Sequence, residues 1–99
     1  MEWTVPFARG KDDITPEGDA VAKRIYQAAY YYPLYNVTLV GYADSREPDP
    51  ERLAARRAKA VSMRLAEKYH LKTEGILLQT KVLQTSASKV AASIAPGSE

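Results

Sequence analysis

Residues 41–61, GYADSREPDPERLAARRAKAV, connect an apolar segment to a charged segment and decide how the chain is arranged. The apolar segment, residues 36–42, has fairly apolar side chains at both sets of alternating positions, which predicts a strand in the middle of a sheet. Asp44 follows directly after it. The next residues are polar and broken by proline, so Asp44 is predicted to lie in a loop at the end of a central strand.

The second half of the same stretch has the signals of a helix start. Asp49, Pro50 and Glu51 supply a capping side chain, a proline at the first helical position and an acid in the first turn. The apolar spacing then continues to about Tyr69. At about 100° per residue, Arg57 lies on the flank of the apolar stripe. It is therefore expected to reach over the sheet end where Asp44 emerges.

The same two periodicities extend through the rest of the chain. Alternating apolar residues predict strands, and apolar residues three or four apart predict helices. The remaining predicted elements are a strand over 3–7 limited to an edge by Pro6, a helix that starts at Thr15 and Pro16 and stops before Pro33, a strand over 76–83, a tight turn over 84–88, a strand over 89–95 and a disordered tail over 96–99.

This order, βαβαββ, predicts an α/β sandwich in which one mixed sheet carries two helices on one face. The last two strands are joined by a short turn, which predicts an antiparallel hairpin. The length of 99 residues predicts one domain, residues 1–99, without internal repeats.

Composition excludes several kinds of function. The chain has no cysteine and a single histidine, His70, so thiol chemistry and a histidine metal cluster are excluded. Lys and Arg number 14 against 12 acids, a balance unlike that of a nucleic-acid-binding protein. No nucleophile–base pair or phosphate loop is recognisable, which predicts a non-enzyme without a cofactor. No segment is apolar enough to cross a membrane, and residues 1–10 lack the pattern of a signal peptide.

Two short motifs flank the loop that contains Asp44. The strand ends in G-x-x-D and the helix carries L-x-x-x-R-A-x-x-V, formed by Gly41 and Asp44 and by Leu53, Arg57, Ala58 and Val61. The pairing resembles the OmpA-like C-terminal peptidoglycan-associated domains, the family of OmpA, Pal and MotB. The resemblance covers most of the chain in the family's order of elements, and it implies an OmpA-like βαβαββ fold.

The resemblance also implies a ligand site. In the family, an aspartate and a helix arginine at these motif positions hold the diaminopimelate of the peptidoglycan stem peptide. Asp44 would accept hydrogen bonds from the ligand ammonium, and Arg57 would bind the ligand carboxylate with its two-pronged guanidinium. Leu53 and Ala58 of the helix and Lys89 of the last strand would belong to the same site.

The chain departs from the family pattern around this site. The family's G-H-T-D becomes G-Y-A-D, its helix Asn and Ser become Pro50 and Ala54, and its N-R-R becomes residues 87–89, Ala-Ser-Lys. The family's D-x-x-G loop becomes residues 44–47, Asp-Ser-Arg-Glu, which lack the glycine that would let the backbone approach a ligand. The polar groups of the family site are therefore reduced.

Each candidate residue has a simpler interpretation. Asp44 could pair with Arg46 as an ordinary loop carboxylate, and Arg57 could pack its stem on apolar surface with its head in water. The basic residues at positions 52, 56, 57, 59 and 64 form a solvated face in this interpretation.

The leading function is a non-catalytic peptidoglycan-binding domain that anchors a periplasmic, outer-membrane-associated protein or assembly. The alternative is a degenerate OmpA-like domain that binds proteins in a secretion or conjugation complex. A small RNA-binding domain is a third class, which a strong salt dependence of binding would be needed to support.

Overall fold

The computed structural model describes residues 1–33 and 35–96. The elements are β1 (Glu2–Pro6), α1 (Pro16–Tyr31), β2 (Tyr35–Asp44), α2 (Pro50–Glu67), β3 (Ile76–Leu83) and β4 (Lys89–Pro96). The predicted order of elements is confirmed. Pro96 was predicted in the tail but is the last residue of β4, and the rest of that predicted tail lies outside the described residues. Within the described residues, neither helix is both long and apolar enough to cross a membrane.

The two helices begin where the sequence predicts, but by different means. Thr15 caps α1 conventionally, since its Oγ1 accepts a hydrogen bond of 3.0 Å from the Gly18 backbone N–H. Asp49 precedes α2 in the left-handed region at φ 46° and its side chain makes no capping hydrogen bond. Its carboxylate instead lies 3.4 Å from Nε of Arg52. The start of α2 at Pro50 therefore depends on the proline and not on an aspartate cap.

The sheet has the strand order β1-β4-β2-β3, so the predicted hairpin of the last two strands is wrong. Strand β3 pairs parallel with β2, and β4 pairs antiparallel with both β2 and β1. The connection over 84–88 therefore crosses the end of β2. Five residues can span at most about 16–18 Å, and two strand spacings need only about 10 Å. A turn this short is compatible with a hairpin and also with a crossing over one strand.

One face of the sheet is covered by the helices. Val37, Leu39 and Ala43 alternate along β2 as fully or nearly fully buried side chains, and the core continues into both helices. Gly41 belongs to the same face. A Cβ atom at Gly41 would lie 2.0 Å from the backbone oxygen of Ala54 in α2. The glycine of the G-x-x-D motif therefore lets α2 lie directly against β2, which brings the start of α2 to the strand end that carries Asp44.

Candidate functional site

Asp44 is the last residue of β2, and its side chain is fully buried under two arginines. Oδ1 accepts hydrogen bonds from the backbone N–H and the Nε of Arg46, at 2.9 and 3.0 Å, and Oδ2 accepts from Nη2 of Arg46 at 2.6 Å. Nη1 of Arg9 lies 3.6 Å from Oδ2. These hydrogen bonds, with the nearby charges, hold the pKa of Asp44 well below its usual range. Asp44 is therefore an ionised carboxylate already bound by a cation of its own chain.

Arg57 lies near the middle of α2 and is fully buried, unlike an arginine whose head reaches water. A guanidinium has five N–H donors, and here all five have acceptors within the chain. Two bonds go to the carboxylate of Glu47, and the others go to the backbone oxygens of Ala8, Lys11 and Tyr42. A ligand carboxylate would have to displace one of these acceptors to bind Arg57.

Glu47 is the partner that the sequence did not predict. It is 3% exposed, and its carboxylate accepts from the backbone N–H groups of Gly10 and Asp44, the hydroxyl of Ser88 and the guanidinium of Arg57. The Glu47–Arg57 ion pair thereby joins the β1–α1 loop, the end of β2, helix α2 and the residue just before β4. It is the hydrogen-bonded centre of this end of the sheet.

Asp44 and Arg57, the two residues predicted to bind the ligand, do not bind each other. They meet through Glu47, whose Oε1 accepts from the backbone N–H of Asp44 at 2.8 Å and from Nη1 of Arg57 at 3.0 Å. Glu47 occupies the loop position at which the D-x-x-G pattern has its glycine. One signal could have revealed it: an arginine predicted beside the apolar stripe needs a buried counter-ion, and the loop before α2 offers acids.

The other predicted site residues divide between the core and the surface. Leu53 and Ala58 are 6% and 1% exposed, and Leu53 packs with Ala43 under the loop. Lys89 is half-buried, and its Nζ lies 5.2 Å from the centroid of the Tyr42 ring. The structure therefore places Lys89 at the same end of the sheet as Asp44. Leu53 and Ala58 support the site from beneath.

The buried ion pair makes stability depend on pH. The hydrogen bonds from Arg57, followed by those from the backbone, lower the pKa of Glu47 from 4.5 to about 2. Because the folded-state pKa is the lower one, the stabilisation is complete above about pH 4.5 and is lost as the pH falls toward 2. We expect the melting temperature to fall through this window, and Glu47→Gln to flatten the slope. Thermal denaturation between pH 7 and pH 2 measures both slopes, and equal slopes would contradict this assignment.

A second carboxylate contributes in the same range of pH. Asp19 accepts hydrogen bonds from Nζ of Lys68, Nη1 of Arg64 and the hydroxyl of Tyr69, which lower its pKa from 3.8 to about 2. This cluster joins the start of α1 to the end of α2. Glu47→Gln is therefore expected to reduce the acid sensitivity without abolishing it.

Three solved structures resemble this chain over nearly its whole length. The OmpA-like domain of FopA1 from Francisella tularensis superposes with a TM-score of 0.81 at 20% identity, covering 96% of this chain and 72% of that one. The periplasmic domain of Helicobacter pylori MotB gives 0.79 at 15% identity, with 98% and 81% covered. The peptidoglycan-associated lipoprotein from Burkholderia pseudomallei gives 0.74 at 16% identity, with 92% and 86% covered.

No family model and no curated protein sequence matches the chain. The structural likeness is therefore established by the order of elements and by their arrangement in space. It agrees with the resemblance indicated by the G-x-x-D and L-x-x-x-R-A-x-x-V motifs. The chain has the OmpA-like fold.

Proposed function

We propose that this chain is a non-catalytic peptidoglycan-associated domain that anchors an envelope protein or assembly to the cell wall in the periplasm. One observation carries the proposal. Asp44 is a buried, ionised carboxylate at the end of the central strand, and the cations that cover it, Arg46 and Arg9, are 66% and 59% exposed. Exposed side chains can move aside at little cost. A ligand ammonium can then take the place of the Arg46 guanidinium.

The chemistry of the stem peptide fits this exchange. Diaminopimelate carries an ammonium and a carboxylate on one carbon. An ammonium has three N–H donors, which can replace the hydrogen bonds that the Arg46 side chain now donates to Asp44. Arg9, Arg46 after its release, and Lys89 are the bases at this end that are available to the ligand carboxylate. The names of two similar structures, a peptidoglycan-associated lipoprotein and a periplasmic domain of MotB, support the class of ligand and the compartment.

Arg57 enters the proposal in two ways. In the conformation described, it holds Glu47 and so fixes the loop that presents Asp44. It binds the ligand carboxylate directly only if Glu47 withdraws, since the Glu47 carboxylate occupies its two outer nitrogens. Leu53 and Ala58 keep α2 in place beneath the site.

Binding to purified peptidoglycan and titration with a diaminopimelate-containing peptide test the proposal. We expect Asp44→Ala to weaken binding about tenfold or more, because it removes the charged acceptor of the ammonium. Asp49→Ala is the matched control, since it removes an exposed carboxylate of the same loop. It is expected to bind like the wild type. If the folded Asp44→Ala variant binds as tightly as the wild type, Asp44 is not the acceptor of the ligand ammonium.

A second candidate function is favoured by one feature of the same loop. Arg46 supplies a cation to Asp44 and Glu47 supplies a carboxylate to Arg57, so two adjacent residues satisfy both halves of the implied site. This arrangement suits a degenerate OmpA-like domain that binds proteins in a secretion or conjugation complex without binding peptidoglycan.

The Arg46→Ala variant separates the two candidates. If Arg46 competes with the ligand, its removal uncovers Asp44 and tightens binding of the diaminopimelate-containing peptide relative to the wild type. If neither the wild type nor folded Arg46→Ala binds the peptide or peptidoglycan, the first candidate fails and the second remains.

A further inference from the structure

Strand β3 is an outer strand with unusually little protection. Within residues 1–33 and 35–96 it pairs only with β2, and it is eight residues long. Leu77 and Leu78 are 50% and 49% exposed, and its one charged side chain is Lys81. The other outer strand, β1, has five residues and ends at Pro6. Natural proteins usually shorten, charge or interrupt outer strands to prevent strand pairing between molecules. Strand β3 lacks these features apart from Lys81.

The unpaired backbone groups of β3 can be identified from the ladder with β2. The backbone oxygen of Leu83 accepts from Ser45 N at 2.7 Å, so the Leu83 backbone faces β2. Along a strand, successive residues direct their backbone groups to opposite sides. The N–H and C=O groups of Leu78, Thr80 and Val82 therefore point away from β2. They form a row of donors and acceptors on the free edge.

We propose that this edge pairs antiparallel with β3 of a second copy of the chain, about a two-fold axis at Thr80. The pairing would join the two sheets into one of eight strands. These three outward-facing residues of each copy would then exchange backbone hydrogen bonds, while the fourth, Ile76, has its N–H bonded to the backbone oxygen of Thr73. The side chains placed opposite one another would be Leu78 with Val82, Leu77 with Leu83, Gln79 with Lys81, and Thr80 with Thr80.

The side chains favour this register. Both half-exposed leucines meet apolar partners, and the lysine faces an amide, so no like charges are opposed. Moving the axis by one residue, to Gln79, would place Leu77 opposite Lys81 and Leu78 opposite Thr80. A self-complementary edge of this kind is what a two-fold interface requires, because each copy supplies the same surface. The occupant that the edge fits is therefore another copy of itself.

Helix α2 leaves room for the neighbour. Arg64 lies on the side of α2 that faces α1, since it binds Asp19. At 100° per residue, Ala55, Ser62 and Ala66 lie on the opposite side of the buried stripe. That side carries these three small side chains, with Glu51 and Lys59 on either side of them. The helices of two paired copies would approach each other along this side, with the three small residues nearest its middle.

A single engineered cysteine reports this pairing, because the chain has none of its own. In a hydrogen-bonded antiparallel pair the Cα atoms are about 5.5 Å apart, which lies within the range that a disulfide spans. We expect Thr80→Cys to form a disulfide-linked dimer at least several-fold faster than Gln79→Cys under mild oxidation. Thr4→Cys, exposed on the other outer strand, is the control for random collision and is expected to react slowly.

Sedimentation of the full chain gives an independent measurement. The wild type is expected to sediment as a dimer, and Leu78→Lys, with circular dichroism that shows a retained fold, as a monomer. A wild type that stays monomeric at the concentration used for oxidation would overturn the proposal. Equal rates for Thr80→Cys and Thr4→Cys would also overturn it, and a faster reaction of Gln79→Cys would overturn the register. None of these readouts depends on peptidoglycan binding.

Discussion

Arg57→Ala is expected to lower the free energy of unfolding by about 3–5 kcal/mol, because it leaves the carboxylate of Glu47 buried without its counter-ion. The same change removes the donors of three backbone oxygens, two in the β1–α1 loop and one in β2. For a domain of this size, the loss corresponds to a fall in melting temperature of about 4–8 °C for each kcal/mol. Urea denaturation followed by circular dichroism measures the free energy, and thermal denaturation measures the shift.

Arg56→Ala is the matched control, since Arg56 is exposed on the same helix. It is expected to change the free energy of unfolding by less than about 0.5 kcal/mol. The double variant Glu47→Ala, Arg57→Ala is expected to lose less than the sum of the two single variants, because the two charges stabilise each other. If Arg57→Ala proves as stable as Arg56→Ala, the ion pair is not what holds these loops together.

Gly41→Ala is expected to be the second severely destabilising change. The added methyl group would lie 2.0 Å from the backbone oxygen of Ala54 and 3.0 Å from Cβ of Ala58, so the helix must move away from the strand. Overpacking typically costs about 1–3 kcal/mol. Here the obstacle is helix backbone, which cannot rotate away as a side chain does. We therefore expect a loss at or above the upper end of that range in urea denaturation.

Gly75→Ala provides the comparison for the same chemical change. A Cβ atom there would lie 3.6 Å from Oδ1 of Asn36, which is ordinary contact. It is expected to leave stability nearly unchanged. If the two alanine variants are equally stable, α2 does not depend on a residue without a side chain at position 41.

The elements of the fold could be predicted because their signals are local. Thr15 followed by a proline marks the start of α1, and alternation over 36–42 marks the central strand, with physical causes that act within a few residues. The predicted pairing of strands was wrong at one point, because β3 and β4 were expected to form a hairpin and β2 lies between them. Loop length limits how far a chain can reach. It does not determine which strand lies between the ends of the loop.

The candidate site was predictable in position but not in its contacts. The motif placed Asp44 at a strand end and Arg57 beside the apolar stripe, and both lie there. That Arg46 covers Asp44 was an open alternative. The full set of contacts of Glu47 could not be derived, because two side chains, of Arg57 and Ser88, and two backbone N–H groups, of Gly10 and Asp44, meet at one carboxylate from separate parts of the chain. Long-range contacts of this kind have no periodic signal in a sequence.

The place of β4 in the sheet has a consequence for the order of folding. Strand β4 is last in chain order but lies between β1 and β2, and it is the only ladder partner of β1 among the described residues. Until β4 is in place, β1 has no ladder partner among the described residues and the sheet cannot close. The architecture therefore makes closure of the sheet depend on pairing between the two ends of the domain, reached only when its last strand is inserted between two that precede it in the chain.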